Sequence, residues 1–190
     1  ALHRRTRASH VSTRWKPSTA SNMHQRETIY QIAFLVQDAN AAAQHWLSRG
    51  AGPFYRFDNF EFTQMLHPTG AVSPRLSILL GYTGDVMLEL IEVGEDPTGL
   101  FTAPVVPGPH HVAMLVDDID EYLGRSGQRD ALVMHALFPT GTPIAMIDTR
   151  PQTGLLTELV TADDAVAGML AVMREAAADF DGTEPIRSFA

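Results

Sequence analysis

The sequence predicts an α+β fold of paired βαβββ modules, and three observations carry that prediction. The segments Gln31-Ile-Ala-Phe-Leu-Val-Gln-Asp38 and His111-Val-Ala-Met-Leu-Val-Asp-Asp118 share four of their eight residues. A second pair, Met87-Leu-Glu-Leu-Ile91 and Leu156-Thr-Glu-Leu-Val160, sets Glu89 on Glu158. Each first segment ends at an Asp where a helix N-cap belongs, and strand-like alternation follows that helix.

The elements follow in order. In residues 29–36, Ile32, Phe34 and Val36 point one way and Gln31, Ala33 and Leu35 the other. The first set is bulky and suits packing under a helix. Asp38 precedes Ala39-Asn-Ala-Ala-Ala-Gln-His-Trp-Leu47, an Ala-rich helix stopped at Gly50. Gly52-Pro53 breaks the chain, and Phe54 to Leu66 reads as one aromatic, alternating strand. After a turn at Pro68-Thr-Gly70, strands at Leu76–Tyr82 and Val86–Val93 form a hairpin. This gives a module over 29–94. Residues 95–109, with Pro97, Pro104, Pro107 and Pro109, read as a linker. The cycle restarts over 110–162: a strand at 110–117, a helix from Asp118, and strands at Leu132–Phe138, Pro143–Asp148 and Leu155–Thr161. Turns fall at Pro139-Thr-Gly141 and Pro151-Gln-Thr-Gly154. Residues 163–190 supply a last amphipathic helix, Ala165 to Ala178, and a tail. The apolar side of that helix (Val166, Met169, Leu170, Met173) needs a surface to cover, its own sheet or a partner subunit.

Composition narrows the function. The chain has 190 residues, 45% hydrophobic and 19% charged, as in ordinary soluble domains. Cysteine is absent, which excludes disulfides, zinc–thiolate sites and cysteine nucleophiles. No apolar run reaches the length of a membrane span. The net charge is −8, but residues 1–27 carry six cations against Glu27 alone, so the rest of the chain carries about −13. Such a body does not suit nucleic acid. Residues 1–28 read as a basic, flexible arm, which leaves organellar import open beside a cytoplasmic location.

The chemistry gathers on Gln31, Glu89, His111 and Glu158. Each lies on an otherwise apolar strand and faces away from the helix side. A carboxylate buried in a sheet is costly unless it is paired or bound to a metal. If the two sheets curve into one cup, one imidazole and three oxygen donors converge. Such a mixed set admits Zn, Ni, Co, Fe, Mn or Mg.

These motifs, together with His110-His-Val-Ala-Met-Leu-Val-Asp-Asp118 and Gly154-Leu-Leu-Thr-Glu-Leu-Val160, resemble the vicinal-oxygen-chelate superfamily (glyoxalase, bleomycin resistance, dioxygenase) over about 29–162. The resemblance is nearest to the glyoxalase I and methylmalonyl-CoA epimerase-like branch. It implies a curved mixed sheet around one divalent metal ion held by Gln31, Glu89, His111 and Glu158. It also implies catalytic roles for Glu158 as base and Glu89 as its partner. The reaction implied is a metal-dependent isomerase, epimerase or lyase step that abstracts a proton next to a metal-bound carbonyl.

Two departures count against a lactoylglutathione lyase of the glyoxalase I type. Leu35 stands where the family has Arg, and Val93 where it tends to have Asn. The expected substrate is therefore a largely apolar or acyl-thioester small molecule, in a pocket lined by Ala33, Leu35, Met87, Ile91, Ala113, Leu115 and Leu156. Phe54, Tyr55, Phe57, Phe60 and Phe62 lie near that pocket. A non-catalytic, antibiotic-type binding protein is a second alternative. An extradiol dioxygenase is disfavoured, because Gln31 leaves one His in the set. His110 is no substitute if neighbouring strand residues face opposite ways. Modules of this type pair across subunits, so a homodimer is expected.

Overall fold

The computed structural model describes residues 28–102 and 107–189. The basic arm lies outside them except for Thr28, as do linker residues 103–106. The first unit runs β1 (Ile29–Val36), α1 (Ala39–Leu47), β2 (Phe54–Phe60), β3 (Thr63–Leu66), β4 (Arg75–Thr83) and β5 (Val86–Glu95). The second runs β6 (Gly108–Val116), α2 (Ile119–Ser126), β7 (Leu132–Leu137), β8 (Pro143–Ile147), α3 (Arg150–Thr153) and β9 (Leu156–Thr161). Helix α4 (Asp164–Ala178) and strand β10 (Ile186–Ser188) follow.

One curved, unclosed sheet holds all ten strands, in the order β10-β2-β4-β5-β1-β6-β9-β8-β7-β3. β1 and β6 pair antiparallel at its centre. Outside them lie the last strands of their own units, β5 parallel to β1 and β9 parallel to β6. The two units therefore meet along a pseudo-twofold seam, as the α+β, paired-module reading requires.

Alternation along each strand separates two layers. On the helix side, Phe34 and Val36 pack with Ala39, Ala43 and Trp46 of α1 and with Leu79, Leu88 and Leu90. The second unit repeats this with Val116, Ile119, Tyr122 and Leu123 against Ala145, Ile147 and Leu159. Burying side chains of this size contributes roughly 1.5–3 kcal/mol each. Both helices start at the matched Asp: Asp38 accepts from Ala41 N at 2.9 Å and Asp118 from Glu121 N at 2.7 Å. Each cap is worth about 1 kcal/mol. On the concave side, Ala33 and Leu35 join Leu76, Ile78, Met87, Ile91, Met146 and Leu156.

The strand expected over 54–66 is two strands. The backbone turns at Asn59 (φ 51°) and Gln64 (φ 46°), and β3 leaves the first unit to pair with β7 at the far edge of the sheet. Aromatic packing draws it across: Phe62 is buried, with its ring 6.3 Å from Phe138 and 6.2 Å from Phe101. The turn expected at 151–154 is the short helix α3, closed by Gly154 at φ 80°. Strand β10, which alternation over three residues could not announce, adds to the edge at β2.

Helix α4 covers its own sheet. Val166 and Met173 are buried, and Met169 and Leu170 partly so, in the concave-side cluster. Asp163 caps the helix by accepting from Val166 N at 2.9 Å, and Thr142 donates to the same carboxylate at 2.6 Å. The apolar side of α4 thus packs largely within the chain. Among the described residues no helix is long and apolar enough to cross a membrane.

Candidate active site

The sheet register brings Gln31, Glu89, His111 and Glu158 together. Glu89 pairs with Ala33, two residues beyond Gln31 on the parallel neighbour. Glu158 pairs with Ala113, two beyond His111, in the same way. Across the seam Ala33 opposes His111 and Gln31 opposes Ala113. All four side chains therefore rise from one face of the four central strands, and all four residues are buried.

Their contacts are close. Gln31 Nε2 donates to Glu89 Oε2 at 2.6 Å. His111 Nε2 lies 3.1 Å from the same oxygen and 3.7 Å from Glu158 Oε2. The 3.1 Å approach is not aligned as a hydrogen bond, so Nε2 is a buried polar atom without a hydrogen-bond partner. Burial pushes the Glu158 carboxyl up to about 7; the charge of Glu89 adds to this and His111 opposes it. Burial by itself would lower the His111 pKa, but the proximity of Glu89 and the charges of Glu158 and Glu89 outweigh it and raise it.

Two further residues join the site, and sequence reasoning missed both roles. The pairing β1–β6 slips between Ile29 and Gln31 and again between Ala33 and Phe34, so Tyr30 and His110 are the unmatched residues of two bulges. Bulges break the alternation that would have sent them to the other face. Tyr30 lines the cavity beside Gln31. Its phenol is buried and its pKa raised well above the ordinary value, by burial first and then by Glu158 and Glu89, so it remains an O–H donor.

His110, expected to face away from His111, instead places Nδ1 2.8 Å from His111 Nδ1. Its Nε2 lies 2.8 Å from Leu100 O, and Phe101 packs on its ring at 5.0 Å. A carbonyl can only accept, so His110 Nε2 carries the proton. Burial, and then the charge of His111, push His110 down to about 4, so it is neutral and accepts at Nδ1 from His111 Nδ1–H. A neutral His111 then has its lone pair at Nε2, the atom facing both glutamates. The linker takes part in this arrangement: Asp96 accepts from Thr98 N and Phe101 N and holds the loop that presents Leu100.

A cavity of about 520 Å³ opens over the cluster. Its polar floor is Tyr30, Gln31, Glu89, His111 and Glu158, and most of the remaining lining is aromatic or aliphatic, including Phe57, Phe60, Phe62 and Phe138. Of the apolar lining expected from sequence, Ile91 lies on the cavity, whereas Ala33, Leu35, Met87, Ala113, Leu115 and Leu156 are not among its lining residues; of the aromatics expected nearby, Phe57, Phe60 and Phe62 line it and Phe54 and Tyr55 do not. Phe54 is core on the helix side.

Among the described residues, no three His, Asp or Glu side chains are splayed as a ready cation cage. The four groups are instead folded onto one another, at 2.6, 3.1 and 3.7 Å. Their chemistry nevertheless fits a divalent cation. It comprises an unpartnered imidazole nitrogen, two carboxylates, and a carboxamide whose oxygen and nitrogen exchange by rotation. A dication would also neutralise the two carboxylates in an apolar surround.

Paired βαβββ modules around one curved sheet define a glyoxalase-like fold. The chain has the fold of the vicinal-oxygen-chelate, or glyoxalase-like, superfamily. A hypothetical protein from Bacillus halodurans C-125 superposes with a TM-score of 0.51 at 17% identity, over 74% of this chain and 97% of its own. A methylmalonyl-CoA epimerase superposes with a TM-score of 0.51 at 19% identity, over 72% of this chain and 95% of its own. No family model and no curated protein matches the sequence.

Proposed function

We propose that the protein is a metal-dependent isomerase of epimerase type, acting on the carbon next to a carbonyl. Gln31, Glu89, His111 and Glu158 would hold the divalent ion, which when bound supplies Lewis acidity to the substrate carbonyl. Glu158 removes the proton from the adjacent carbon: the C–H bond breaks, the proton passes to the carboxylate, and the electron pair moves toward the carbonyl oxygen. Delivery of a proton to the opposite face of the same carbon, with Glu89 as the partner, would give an epimerase. Return from Glu158 to a neighbouring carbon gives an isomerase. Tyr30 keeps its proton and can donate a hydrogen bond at the cavity floor. The apolar walls exclude water from the carbanion.

The observation that carries this reading is geometric: Glu158 is buried at the floor of an apolar cavity, with His111 Nε2 3.7 Å from its Oε2 and 3.1 Å from Glu89 Oε2. A carboxylate so placed can act as base toward a substrate bound over the floor. Glu158→Gln should reduce exchange of the substrate's α-proton with D2O, followed by NMR, by about 10²–10⁴-fold, with folding unchanged. Exchange at the wild-type rate would place the base elsewhere.

A lactoylglutathione lyase fits less well, because Leu35 is buried in the apolar cluster and offers glutathione no charge. A purely binding protein would have no use for two buried glutamates at the floor, which cost stability without a bound cation. Metal analysis separates these readings. Near one divalent ion per chain, reduced in His111→Ala, supports the enzyme, and a metal-free protein under all loading conditions refutes it.

A further inference from the structure

The cavity roof comes from outside the two modules. Ala165, Val166, Gly168, Met169 and Val172 of α4 line it from above, and Phe189 closes one rim. Phe189 is held there by β10, which pairs with β2, and by its ring packing on Tyr55 at 4.7 Å and Phe57 at 5.6 Å. The superposed structures are matched almost whole, yet they cover only 74% and 72% of this chain. About a quarter of this chain therefore has no counterpart in them.

Among the described residues, no Lys or Arg lines the cavity. The arginines nearest in sequence or on the roof are already engaged. Arg56 pairs with Asp58, Arg75 with Glu95, and Arg174 with Asp85 while also lying over the Tyr82 ring. Arg187 donates to the Glu184 and Thr183 carbonyls. The chain beyond residue 27 has an excess of about 13 negative charges. A coenzyme A nucleotide, with its diphosphate and 3′-phosphate, would find no cation among the described lining residues. The floor itself is charge-balanced once a dication joins the two glutamates, so it adds no attraction for an anion.

We propose that α4 and Phe189 form a specificity roof that commits the site to an uncharged, largely apolar carbonyl compound enclosed within the cup, and excludes coenzyme A thioesters. This rests on the proton-transfer reading for the carbonyl but not for the enclosure. A volume of about 520 Å³ is of the size that encloses a drug-sized molecule.

Gly168 provides the test. A Cβ at this position would meet nothing within 4 Å, and the residue faces the cavity from a helix. Gly168→Leu therefore starts from open space at Cβ, adds bulk at a cavity-lining position and improves helix propensity. The neutral dye Nile red should bind the wild-type protein, and Gly168→Leu, with a Tm at or above wild type, should bind it at least tenfold more weakly. S-propionyl-N-acetylcysteamine should displace the dye, whereas propionyl-CoA, with the same acyl group, should not at equal concentration. Displacement by propionyl-CoA at least as good as by the short thioester, or unchanged dye binding in Gly168→Leu, overturns the proposal. α-Proton exchange in D2O is read on the same short thioester. Binding without exchange refutes the proton-transfer reading alone and leaves the roof standing.

Discussion

Glu89 and Glu158 hold matching places in the two modules, each two residues along from its module's Gln31 or His111 on the parallel strand beside it. Their surroundings differ. Glu89 accepts a 2.6 Å hydrogen bond from Gln31 and has His111 Nε2 at 3.1 Å. Glu158 has only the 3.7 Å approach of that nitrogen, and burial pushes it up to about 7. One module thus presents a carboxylate held by a fixed donor, and the other a carboxyl free to take and give a proton. The first-strand residues explain the difference. In this arrangement the Gln31 amide offers an N–H to its partner glutamate, whereas His111 spends its Nδ1–H on His110 and turns Nε2 toward both glutamates.

The most severe way to break this comparison is to neutralise the two carboxylates in turn. Glu158→Gln should remove the base and cost about 10²–10⁴-fold in α-proton exchange. Glu89→Gln should keep a base and slow exchange less, mainly by weakening metal retention. Equal losses, with metal content intact in both variants, would show that the modules share the proton work and that the asymmetry has no chemical consequence.

The pH dependence of stability sharpens the same contrast in metal-free protein. In the folded chain the Glu158 carboxyl holds its proton to about pH 7, against an ordinary value of 4.5. The folded state therefore binds this proton more tightly than the unfolded one. The stability it contributes is fully present below 4.5 and is lost as pH rises toward 7. His111, also raised, acts in the same direction above 6.5. Thermal melts of Glu158→Gln and wild type should therefore diverge in favour of the variant between pH 4.5 and 7. Parallel curves over that window would place the tightly held proton on another group.

The sequence repeat was enough to place the two modules and to select the four inward polar residues, because period-two alternation forces Gln31, Ala33 and Leu35 onto one face. It failed where alternation fails. Tyr30 and His110 reach the site through one-residue bulges in β1–β6, and a bulge leaves no mark in the composition of either strand. The crossing of β3 to β7 and the placement of α4 are long-range choices made by aromatic and aliphatic packing. Phe62 on Phe138 and Val166 in the concave cluster show this, and no local pattern specifies their partners. The amphipathic side of α4 was visible in the sequence, but the surface it covers was not.

Tyr30 and His110 also give the finest test of how the modules differ, since each precedes its module's first ligand. Tyr30 faces the cavity, whereas His110 stands behind His111 and fixes which of its nitrogens is bare. A supporting partner of this kind is typically worth 10–100-fold in metal affinity. His110→Ala removes the Nδ1 acceptor, so a neutral His111 is no longer held with its lone pair on Nε2. Divalent-metal affinity, titrated calorimetrically, should fall by about that factor, while Tyr30→Phe should leave it within a few-fold of wild type. The His111 ring nitrogens, followed by 15N NMR in metal-free protein above pH 8, should show a single neutral tautomer in wild type and a mixture in His110→Ala. A loss of affinity with the tautomer unchanged would mean that His110 acts only by packing against Phe101. Equal effects of the Tyr30 and His110 variants would mean that the two bulges serve the two modules alike.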